Sequence, residues 1–87
     1  MNKEKEELTR TEMVDKFIAL ANEFALKASK EHVGAAIMFA ASRYNAYEAS
    51  GKSKNMVADK SDILTWYSNE YRRMLNANLD DLIDIQS

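Results

Sequence analysis

The sequence predicts an all-α protein: an antiparallel three-helix bundle, with room for a short fourth helix at the carboxyl end. Three observations predict it. Proline is absent and only two of the 87 residues are glycine, so little interrupts a helix. Leucine, alanine, lysine and glutamate abound while β-branched runs are missing, a helix-forming composition. Apolar residues recur at helical spacing in three successive stretches.

The first helix is expected to start near Thr9 or Thr11, because Thr9 and Glu12 have the spacing of a capping box. Met13, Phe17, Leu20, Phe24 and Ala28 mark its apolar stripe, widened by Val14, Ala21 and Ala25. Asp15, Lys16, Glu23 and Lys27 fall outside that stripe, and the helix is expected to fade between Lys27 and Lys30, where positive charge suits a carboxyl end. The second helix begins with Ser29 as N-cap and Glu31 in its first turn. Its main stripe is Val33, Ile37, Ala40, Tyr44 and Tyr47, and Gly51 follows as a stop. The third helix takes Ser53 or Asn55 as its cap, with Ile63, Leu64, Tyr67, Tyr71, Met74 and Leu75 at helical spacing. Asp80, Asp81 and Asp84 oppose the dipole at the end of one long helix but suit the start of a new one capped by Asn78. A break near Asn76 to Asn78 is therefore expected, with Leu79, Leu82, Ile83 and Ile85 folding back or meeting a neighbour. Residues 1–87 make one domain, with residues 1–8 and 84–87 as loose ends.

The segment from Val33 to Ala41 is apolar on every side, which marks a helix covered on more than one face. Gly34, Ala36 and Ala40 would permit close approach of a neighbouring helix. Phe39 lies nearly opposite the Ile37–Tyr44 stripe, and leaving it in water forgoes about 2 kcal/mol of burial. Either the rest of the chain covers it or a second copy does, through Met38 and Phe39.

Composition bounds function. Without cysteine there is no disulfide framework and no thiolate metal site, a usage that fits a reducing cytoplasm. The charged amino terminus lacks the apolar run of a signal peptide. The apolar stretch around Phe39 is about half of the ~20 residues that span a bilayer, so no membrane partner is expected. The net charge is −2, and Met13 to Leu79 carries nine basic against seven acidic residues, too slight an excess for a nucleic-acid stripe.

No catalytic, cofactor-binding or metal-binding residue is expected, and no enzyme. Two separated glycines cannot build a phosphate loop, and there is no nucleophile elbow. His32 is the single histidine, which removes zinc sites that need two from one chain, and its place in a first helical turn suits a surface or capping role. Asp80, Asp81 and Asp84 lack the spacing of a calcium loop and read as a solvated acidic end. Lys52, Lys54 and Lys60 read as a solvated basic loop.

Two constellations remain. Trp66, Glu70 and Arg73 share one edge of the third helix, and a half-exposed tryptophan beside arginine has the composition of an interface hot spot. The plain alternative packs Trp66 on the second helix with Arg73 stacked on it. Arg43 and Asn45 flank opposite edges of the Ala40–Tyr44 stripe and need polar partners if buried. The sequence thus favours a non-enzymatic interaction module that pairs with itself as a homodimer or with another protein. Met38, Phe39, Arg43, Trp66, Glu70 and Arg73 are its candidate contact residues. The alternative is a small-ligand pocket between helices, lined by Tyr44, Tyr47, Tyr67 and Tyr71 with Arg43 or Asn45 as anchors.

Phe17-Ile18-Ala19-Leu20-Ala21-Asn22-Glu23, followed by the alanine-rich stretch Ala35 to Ala41 and then Ser42-Arg43-Tyr44-Asn45-Ala46-Tyr47, resembles a family of small proteobacterial proteins catalogued as domain of unknown function 3144. Tyr67 to Leu75, with its aromatics and paired arginines, resembles that family's third segment. This chain has tyrosine at 44 and 47, where the family often has phenylalanine. The resemblance runs from about Val14 to Leu82. It implies a small bacterial cytoplasmic protein and supplies no activity, cofactor or catalytic residue.

Overall fold

The computed structural model describes residues 7–87, and these form three helices with no strand. The fold class is all-α, as the composition requires. The head of the chain up to residue 6, part of the expected loose end, lies outside the described residues.

Helix α1 spans Arg10–Phe24. Thr9 is its N-cap: the Glu12 backbone N–H donates to the Thr9 hydroxyl at 3.1 Å, and the Thr9 N–H donates to the Glu12 carboxylate at 2.8 Å. This reciprocal box satisfies two donors that the first turn leaves orphaned. The helix ends earlier than the charge pattern suggested. Ala25 caps it, and the Leu26 and Lys27 amides bond back three residues to Glu23 and Phe24. That tightening consumes the last carbonyls and leaves Ala28 beyond the stripe.

Helix α2 spans Lys30–Ser50. Ser29 caps it, its hydroxyl accepting from the His32 amide at 3.1 Å. Its apolar residues spread around the helix, whereas those of α1 and α3 gather on one side. Gly51 follows the last turn as expected, but no described residue has positive φ, so the stop is not a left-handed glycine cap. Instead the Gly51 N–H is shared between the Tyr47 and Glu48 carbonyls at 3.3 and 3.2 Å, while the Ser50 hydroxyl takes Tyr47 O at 2.7 Å.

Helix α3 spans Met56–Gln86, 31 residues without interruption. Asn55 is the N-cap and accepts from the Ala58 amide at 3.1 Å; Ser53 braces the turn by donating to Asp59 at 2.7 Å. The expected break at Asn76 to Asn78, and with it the fourth helix, is absent. Asn78 does not cap a new start: its side-chain amide donates to the Met74 carbonyl one turn back, at 3.1 Å. With neither glycine nor proline between Met56 and Gln86, the misfit of three aspartates with the dipole costs a few tenths of a kcal/mol each, too little to offset the hydrogen bonds a break would forfeit. The helix accordingly continues through Asp84 and Ile85 to Gln86.

The chain divides within α2 into two compact units, Met1–Tyr44 and Asn45–Ser87. The first holds α1 and the larger part of α2; the second holds the last turns of α2 and all of α3. Among the described residues, the buried apolar side chains are Val33 in the first unit and Ala49 in the second, both on α2. The expected close approach at Gly34 is not found: a Cβ placed there would meet nothing within 4 Å.

Candidate functional site

In the first unit, Met38 and Phe39 sit side by side on α2, 60% and 61% exposed. One turn on, the Arg43 guanidinium lies over the Phe39 ring, 4.9 Å from its centroid. The pair follows from the i,i+4 spacing, which stacks the two side chains on one helix face. A guanidinium over an exposed ring is worth about 0.5–1 kcal/mol. It leaves the outer face of the ring, and Met38 beside it, as apolar surface. Arg43 is exposed and lies against a ring of its own helix. Tyr44 is exposed, and so is most of α1, including Phe17 at 71%. A shallow hollow along α1 is lined by Leu8, Glu12, Asp15, Lys16 and Ala19 and includes none of the tyrosines.

In the second unit, polar contacts centre on a residue the sequence reading did not single out. One Glu48 carboxylate oxygen accepts from both the Tyr67 hydroxyl at 2.9 Å and the Asn45 amide at 3.2 Å. The Tyr67 bond joins residues 19 apart in the chain and ties the end of α2 to α3. The Asn45–Glu48 spacing was legible as an i,i+3 pair, but nothing local announced the tyrosine. The Tyr67 phenol is held above its ordinary range, first by partial burial, then by the hydrogen bond to Glu48 and its charge. Trp66 packs edge-on to Tyr67, ring centroids 4.9 Å apart and planes at 80°. It keeps 58% of its surface exposed. Arg73 does not stack on Trp66; it pairs with Glu70 one turn before it. Trp66, Glu70 and Arg73 thus share an edge of α3 as the spacing implied, as a ring beside an ion pair. Tyr47 and Tyr71 are exposed, at 73% and 50%.

Residues 11–83 match the family described as "Protein of unknown function (DUF3144)". The chain belongs to this family. The matched span takes in both clusters, from the second residue of α1 to the last turn of α3. No curated protein and no solved structure matches the chain. Among the described residues, no group of three or more histidine, cysteine, aspartate or glutamate side chains could hold a metal ion, and no helix is long and apolar enough to cross a membrane.

Proposed function

We propose that this protein is a non-enzymatic self-association module whose helices complete their apolar core against a second copy of the chain. One observation carries the reading. Among the described residues, burial is confined to Val33 and Ala49, while Met38, Phe39, Trp66, Leu82 and Ile85 each keep more than half of their surface in water. Scattered exposed apolar residues are normal on a monomer, but here they recur on all three helices. Helices of this kind take most of their stability from packing an apolar face rather than from propensity. Below about 70–80 residues of core-forming chain, proteins without disulfides or metals commonly obtain that packing by oligomerising. This chain has no cysteine and only marginally more length.

The test is molar mass by light scattering, with thermal unfolding followed at several concentrations. A self-associating fold gives twice the chain mass. Its midpoint rises by about 4 °C per tenfold increase in concentration, since each decade adds about 1.4 kcal/mol to the dimer. A monomer at millimolar concentration, with a midpoint independent of concentration, overturns the proposal.

A further inference from the structure

We draw no further inference here: the strongest candidate, the exposed apolar face that α3 carries along Leu64, Tyr71, Leu75 and Leu82, is a surface patch for which nothing in the structure shows what covers it.

Discussion

Phe39→Glu separates a side chain that merely sits on the surface from one that a second copy covers. In the single chain the ring is 61% exposed and its defined partner is the Arg43 guanidinium. The substitution loses a cation–π contact of about 0.5–1 kcal/mol. It gains a carboxylate four residues before an arginine, the favourable order, worth about 0.2–0.5 kcal/mol. The fold of the isolated chain should therefore change by well under 1 kcal/mol. Association is another matter. Full burial of a phenylalanine contributes about 1.5–3 kcal/mol, so covering the exposed part of this ring contributes about 1–2 kcal/mol per chain. A two-fold interface repeats the contact, giving about 2–4 kcal/mol per dimer, or a 30- to 1,000-fold weaker dimerisation constant. Light scattering across a dilution series reads that constant, and far-ultraviolet circular dichroism on the same samples reads helix content. The expected outcome is a helical monomer at concentrations where the wild type is dimeric. A dimerisation constant within threefold of wild type would refute the placing of Phe39 in the interface. Loss of helix at every concentration would show instead that the chain's own fold covers the ring.

Gly34→Ala should raise stability by about 0.5–1 kcal/mol, because the alanine loses less backbone entropy in mid-helix and its methyl meets open space; denaturant midpoints check it, and a loss of stability would mean that another chain packs on this residue. Tyr67 should titrate above the ordinary tyrosine value when tyrosinate absorbance is followed with pH. Its phenol is raised in the folded state, so the stability it contributes is fully present below the unfolded value of about 10 and is lost as pH climbs through the folded value. Tyr67→Phe should abolish the late component, and a wild-type curve without one would contradict the Glu48 bond.

The local grammar of this chain was legible from its residues. Thr9 with Glu12, Ser29, and Ser53 or Asn55 announced three helix starts, of which Asn55 proved the third cap, because a cap is decided by the few residues whose amides it satisfies. The same locality failed at Asn78. Three aspartates and an asparagine read as a new start, yet continuing an existing helix costs one residue at a time, whereas starting another requires a fresh nucleus. Glu48 was missed for the complementary reason: its tyrosine partner is supplied across the loop by α3, and no spacing along the chain records it.

Sequence by itself determined that the protein is all-helical, where its helices begin, and that α2 carries apolar residues on every side. Those properties depend on backbone propensity, caps and periodicity, which act over one or two turns. Tertiary structure alone decided that Phe39 and Trp66 stand in water. It alone set Tyr67 on Glu48. Burial is a relation between segments distant in sequence: periodicity says which side chains need cover, and only the packed chain shows which of them go without it.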